Sequence, residues 1–382
     1  MIKTVIRQEA AFIFGAITTA LFYLFSGVFL AALAPDLKTV AVFIWVFATM
    51  MWCAFGVVRH ADSLADLLGE PYGTLILTLA VISIEVSLIA AIMLAGDNEP
   101  TLARDTMFAI LMIVLNGMVG LALLIGGLRH REQHYNLQGA KAFLAVMVPL
   151  AVVTLVLPIF TDSARLRSLT PVQEVFFAAI TIFLYGVFLS IQTTRHRNLF
   201  LQPGVQVQLR TNAETAVVDE EDADSAHRHH QIRTVPYHAV ALVLTMLPVV
   251  LLSKKLAVFV DFGIETMGAP VAFGGLIIAV LVLAPEGLGA LRAALSNQLQ
   301  RSVNILLGSA LATIGLTVPA VLTIALTTDR TVELGLNDLE MVLLLLTLAV
   351  STLTFTGGRT NVLQGAVHLV LFVVYVVLIF NP

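Results

Sequence analysis

One cysteine, Cys53, stands in 382 residues, so no disulfide framework can hold this chain together. Charge is scarce too. Asp, Glu, Lys and Arg make up 12% of the residues, about half of the roughly 25% that covers a soluble domain. No Gly-x-x-x-x-Gly-Lys-Ser/Thr stretch occurs, which excludes ATP hydrolysis by a P-loop, and no His-Glu-x-x-His, which argues against a zinc protease. Basic clusters interleaved with aromatics are missing, so nucleic acid is not an expected partner. Arginines at voltage-sensor spacing are missing as well. No nucleophile–base pair or ligand set lies at membrane depth, so neither an enzyme nor a resident cofactor is expected.

What fills the chain instead is apolar. Hydrophobic residues make up 58% and the mean hydropathy is +0.94. The matching solvent is lipid, in which a helix satisfies its own backbone hydrogen bonds. A spanning helix needs about 20 mostly apolar residues. That rule predicts about eleven, near 11–34, 38–58, 73–95, 105–127, 140–160, 172–192, 236–257, 269–292, 302–326, 339–355 and 361–380. The first follows Lys3 and Arg7 like a signal peptide. Its apolar run of about 24 residues exceeds the roughly 7–15 of a signal core, so it reads as a retained helix. Lipid is therefore one expected partner, and the fold class is an all-α polytopic membrane protein.

Lys and Arg set the orientation. With the N-terminus in the cytoplasm and loops alternating, 14 of the 21 fall inside and 7 outside, which predicts a cytoplasmic N-terminus and a periplasmic C-terminus. Residues 193–235 break the apolar pattern with Asp219-Glu220-Glu221-Asp222 and His227-Arg228-His229-His230, a polar composition that does not build a core. The expected organisation is an extra helix at 1–35, a five-helix unit at 36–192, this linker at 193–235 and a second five-helix unit at 236–382. Five is odd, so the two units insert with opposite orientation, a common transporter plan.

Of the 25 acidic residues, only Glu85 and Glu286 fall in the interiors of predicted helices, each in the corresponding helix of its half; the other 23 lie in loops or near helix ends. An ionisable group at that depth costs at least about 2.5–3.5 kcal/mol and is expected to face a cavity. Two such carboxylates offer hard oxygens to a cation. Burial beside a like charge also favours the neutral acid, so protons compete for the same oxygens. That competition is the requirement for cation/proton antiport. The alternative is a cation channel with the same glutamates as a selectivity ring.

Secondary ligands would be hydroxyls, amides and carbonyls. Pro285, Gly287 and Gly289 flank Glu286, where a kinked or broken helix would free backbone oxygens. Ser83 and Ser87 lie either side of Glu85. Asn116 and Gly117 occupy the next helix of the first half. Ser309, Thr313 and Thr317 share one helical face in the second. Close packing of small residues is the competing account of each hydroxyl. Glu70, in a Gly69-Glu70-Pro71 turn, is a candidate entrance guard or a solvated loop acid. His368 is a candidate proton relay or a bonded core histidine. Arg104 and Asp105 are expected at the membrane surface.

Three strings carry a resemblance: Gly69-Glu70-Pro71-Tyr72-Gly73-Thr74-Leu75-Ile76-Leu77, Ala284-Pro285-Glu286-Gly287-Leu288-Gly289-Ala290-Leu291 and Gly357-Gly358-Arg359-Thr360-Asn361-Val362-Leu363. They resemble the ChaA-type antiporters, in the CAX branch of the calcium/cation antiporter superfamily. The likeness runs over nearly the whole chain. It implies eleven helices, two inverted five-helix repeats, a bacterial inner-membrane location and exchange of Ca²⁺, and also Na⁺ and K⁺, for H⁺. It assigns the superfamily's two repeat acids to Glu85 and Glu286. The glycine and asparagine that precede the acid in that superfamily are replaced by Val81-Ile82-Ser83-Ile84 and Leu283-Ala284-Pro285, and a glutamine of the second repeat by Ala312. Fewer polar groups around the carboxylates favour monovalent ions.

Overall fold

The computed structural model describes residues 9–30, 33–68, 72–95, 100–161, 169–195, 197–200, 234–270, 272–328 and 330–381. Glu70 and the Asp/His-rich tract lie outside them. The described residues form helices α1 (Ala10–Leu24), α2 (Leu37–Leu68), α3 (Tyr72–Ala95), α4 (Leu102–His130), α5 (Leu137–Phe160), α6 (Pro171–Thr194), α7 (Val235–Met267), α8 (Ala272–Leu295), α9 (Leu299–Thr328), α10 (Asp338–Thr354) and α11 (Val362–Phe380). Eight of them are long and apolar enough to cross a membrane. Two short strands, β1 (Gln133–His134) and β2 (Arg359–Thr360), pair antiparallel with Gln133 opposite Thr360.

Each expected span falls on a helix, with two differences in extent. α2 and α7 continue as helix through Arg59-His60-Ala61-Asp62 and Asp261-Phe262-Gly263-Ile264-Glu265, about ten residues past the apolar run. Hydropathy marks where lipid ends; the backbone ladder continues beyond it because it needs no apolar side chain. The first span is divided instead: α1 stops at Leu24, and a short helical turn, Ser26–Leu30, follows.

Three helices before the 193–235 segment match three after it in length. α2 and α7 have 32 and 33 residues, α3 and α8 have 24 each, and α4 and α9 have 29 and 30. α4 and α9 each contain a π-helical segment, Ile113–Met118 and Thr313–Thr317. Such segments concentrate at functional sites because they shift the backbone ladder by one residue. In their most apolar stretches α4 and α9 are 72% and 78% buried by protein, against 22% for α6 and α11. The first pair is therefore the centre and the second the lipid rim.

Contacts between loops follow the alternation of crossings. At one end, His130 meets the Leu295 carbonyl, Gln133 donates to the Ala294 carbonyl, and Asn304 donates to the Phe200 carbonyl. At the other, Arg330 donates to the Met93 carbonyl, and the Glu333 and Leu336 amides donate to the Pro100 and Leu155 carbonyls. Arg104 and Asp105 belong to this second end. They are not surface groups: both are under 10% exposed, paired at 2.7 Å, with Arg104 also donating to the Gly335 carbonyl. The loop before α10 folds over them, so the pair exchanges water for charge-assisted bonds, with Arg104 Nε and Nη2 both reaching Asp105 Oδ1.

α1 packs on α2 and α7, and a polar cluster fixes its start. Glu9 takes Arg59 Nη2 at 3.3 Å, His60 Nε2 at 3.0 Å and the Tyr237 hydroxyl at 2.6 Å, and His60 Nδ1 faces His238 Nδ1 at 3.1 Å. Burial alone raises the Glu9 carboxyl, but the Tyr237 hydrogen bond and the charges of His60 and Arg59 outweigh it and hold the group below its ordinary 4.5. A depressed acid contributes stability above its ordinary value and loses it as pH falls through the native one. Glu9→Gln is therefore expected to lower the melting temperature at neutral pH by about 2 °C or more. The gap should close progressively below pH 4.5. A gap that widens in acid rejects the assignment.

Candidate functional site

Glu85 projects from α3, in the first half, and is 1% exposed. Glu286 projects from α8, in the second half, and keeps partial exposure. The two helices pack on each other. Between them runs α9. Its Thr313 and Thr317 hydroxyls donate to Glu85 Oε2 and Oε1 at 2.9 and 2.7 Å. Its Ser309 hydroxyl donates to Glu286 Oε2 in a short bond. One face of α9 thus holds both acids, one from each half.

The local sequence explains the placement. Ser309, Thr313 and Thr317 recur at four-residue spacing and enter the π segment at Thr313. Gly315, inside that segment, lies against the Tyr185 ring, where a side chain would meet ring atoms at 2.8 Å. On α8, Gly275 lets the backbone approach the Asp105 and Thr106 backbone, and Gly287, next to Glu286, receives the Met118 side chain. α8 runs unbroken with Pro285 inside it. Of the kinked or broken helix expected there, the break is absent, and proline still deprives the carbonyl one turn earlier of its donor.

The other candidates sort clearly. Ser83 donates to the Leu79 carbonyl of its own helix at 2.6 Å. Ser83 and Ser87 stand two residues from Glu85 on either side, which puts both on the opposite face of α3. Asn116 and His368 do join a cluster, but not the glutamates' own. Asn116 bonds Thr347 and His368, and His368 bonds Thr354. Thr347 and Thr354 carried no signal in the sequence beyond being hydroxyls on an apolar helix.

Chemically, five residues supply seven side-chain oxygens: two carboxylates and three hydroxyls. A hydroxyl can donate to a carboxylate or turn a lone pair toward a cation. Among the described residues no group of three or more His, Cys, Asp or Glu could hold a metal ion. A bound cation would therefore meet two charges and neutral oxygens.

Comparison with known proteins agrees with this architecture. The chain is 44% identical, over 86% of its length and 85% of the other's, to the sodium-potassium/proton antiporter ChaA of Escherichia coli (strain K12). It is 41% identical, over 91% of both, to the putative ionic transporter y4hA of Sinorhizobium fredii. Its fold is similar to the crystal structure of the Ca²⁺/H⁺ antiporter protein YfkE, with a TM-score of 0.71 over 98% of this chain and 99% of that one, at 19% identity. The model of the sodium/calcium exchanger protein family matches residues 38–194 and 237–381, and with both halves matched the chain belongs to that family of transporters.

Proposed function

We propose that the chain is a secondary antiporter that exchanges a cation for protons, with Glu85 and Glu286 as the shared binding groups. The observation that carries this is the meeting of one acid from each half on a single hydroxyl face of α9. In the loaded state the carboxylates are ionised and the hydroxyls turn their oxygens to the ion. In the returning state each carboxyl carries a proton, so the site crosses without metal. Alternation between the two openings follows from halves of opposite orientation.

Ca²⁺, Na⁺ and K⁺ are the candidate ions. Seven oxygens with two charges lie within the six to eight that Ca²⁺ takes. The 44% relative is named for sodium, potassium and protons, which supports monovalent exchange here. The chain sits in a bacterial inner membrane, with its N-terminus in the cytoplasm and its C-terminus outside.

Everted vesicles carrying the protein test this. With a preformed acid interior and the membrane potential clamped, adding Ca²⁺, Na⁺ or K⁺ is expected to collapse the pH gradient. Cation flux that ignores the gradient and follows only the potential marks a channel and rejects antiport.

A further inference from the structure

The π segment of α4, Ile113–Met118, is gripped from two sides. On one side lie α8 and α9, the helices of Glu286 and of its hydroxyl donor Ser309. Met118 reaches this side, its thioether occupying the space a Gly287 side chain would fill. On the other side lie α10 and α11. Asn116, two residues before Met118, points there.

Four side chains make one directed chain on that far side. Asn116 Nδ2 donates to Thr347 Oγ1 at 2.8 Å, which leaves Oδ1 to accept from His368 Nδ1–H at 3.2 Å. In that tautomer His368 Nε2 carries no hydrogen, and it accepts from the Thr354 hydroxyl at 2.9 Å. Every member is at most 5% exposed. With donors and acceptors matched throughout, the network fixes one rotamer for each member. Backbone-to-backbone packing brings the ring within reach: Gly120 on α4 lies against the Gly365 carbonyl and Leu369 amide of α11.

We propose that Asn116, Thr347, Thr354 and His368 form a clasp that sets the geometry of Glu286. They hold the π segment from behind, and the Glu286 and Ser309 helices pack on its front. They are positioning residues, since they bond one another and Met112 and not either glutamate. His368 acts here as a bonded neutral ring and not as a carrier of protons. The second half has no matching need, because its π segment is held by Glu85 itself through Thr313 and Thr317. The inference rests on the antiporter reading above.

Two conservative variants separate clasp from relay. Glutamine places an amide nitrogen and oxygen near the two ring nitrogens, so His368→Gln can still donate to Asn116 and accept from Thr354. It cannot carry a proton. The clasp predicts that His368→Gln keeps wild-type cation KM, maximal rate and pH profile. It predicts that His368→Leu and Thr354→Val, the second nearly isosteric and included in case the first fails to fold, raise the cation KM about fivefold, the worth of one net buried hydrogen bond. Their maximal rate per inserted protein should stay within about twofold. Mere loss of folded carrier lowers the maximal rate and leaves KM in place. An inactive His368→Gln, or an unchanged KM in Thr354→Val, overturns the proposal. Cation-induced rise in melting temperature, measured with Ca²⁺, Na⁺ and K⁺ on purified protein, reads the same affinity change without transport. A wild type that binds cations but does not exchange them for protons fails the antiporter reading, and the clasp is then judged on that binding shift alone.

Discussion

Glu85→Gln and Glu286→Gln are each expected to abolish cation-driven proton movement, by about 100-fold or more, in vesicles that contain normal amounts of inserted protein. The size follows from what the substitution removes. An amide has no proton to exchange in this range and no charge to offer a cation, so both halves of the cycle fail at once. The fold should survive. At Glu85 the amide oxygen still accepts from one threonine, and the amide nitrogen donates to the other once that hydroxyl turns. Replacing a buried charge by a neutral group of the same shape removes a desolvation penalty and does not add one. The melting temperatures of both variants should therefore equal or exceed that of the wild type. The paired result is what carries weight, because a variant that is inactive and unstable says nothing about chemistry. Exchange within about threefold of wild type by either stable variant removes that residue from the mechanism.

The two acids were legible in the sequence for a simple reason: lipid makes a mid-helix carboxylate expensive, so its presence needs a function. The same arithmetic gave the apolar spans, and Ser309, Thr313 and Thr317 were legible as one face by their spacing. Direction was harder. Asn116 sits in the helix that follows Glu85, as Ser309 and Thr313 sit in the helix that follows Glu286, and symmetry of position suggested symmetry of role. The structure turns Asn116 to the opposite side of α4. The π segment adds a residue to the turn and re-aims every side chain after it, a shift that apolar periodicity does not record. Glu9, His60 and His238 were invisible as a group for a related reason. They come from the start of α1 and from α2 and α7, about 50 and 180 residues apart, and only packing brings them together. Arg104 and Asp105 were misplaced because a short polar segment looks solvated until a loop from residues 330–337 covers it.

Gly365→Ala is expected to lower the melting temperature by about 5 °C or more, as an overpacked site costing roughly 1–3 kcal/mol would. In lipid, helices gain nothing from hiding apolar surface from one another, so close van der Waals packing must hold them. α4 and α11 achieve it through facing glycines. A methyl group on Gly365 would stand 2.5 Å from the Leu124 nitrogen and 2.8 Å from the Gly120 carbonyl oxygen. Both are backbone atoms of a buried helix and have no rotamer by which to yield, so the helices must separate. His368 lies one turn further along α11, and separation draws its ring from Asn116. The same variant should therefore also raise the cation KM. The comparison is Gly186→Ala on α6, where a methyl group meets nothing within 4 Å. There the exchange only removes the helix penalty of glycine, worth about 1 kcal/mol, and the melting temperature should hold or rise. Should the two variants melt alike, α4 and α11 are not in backbone contact, and the clasp loses the crossing that brings histidine to asparagine.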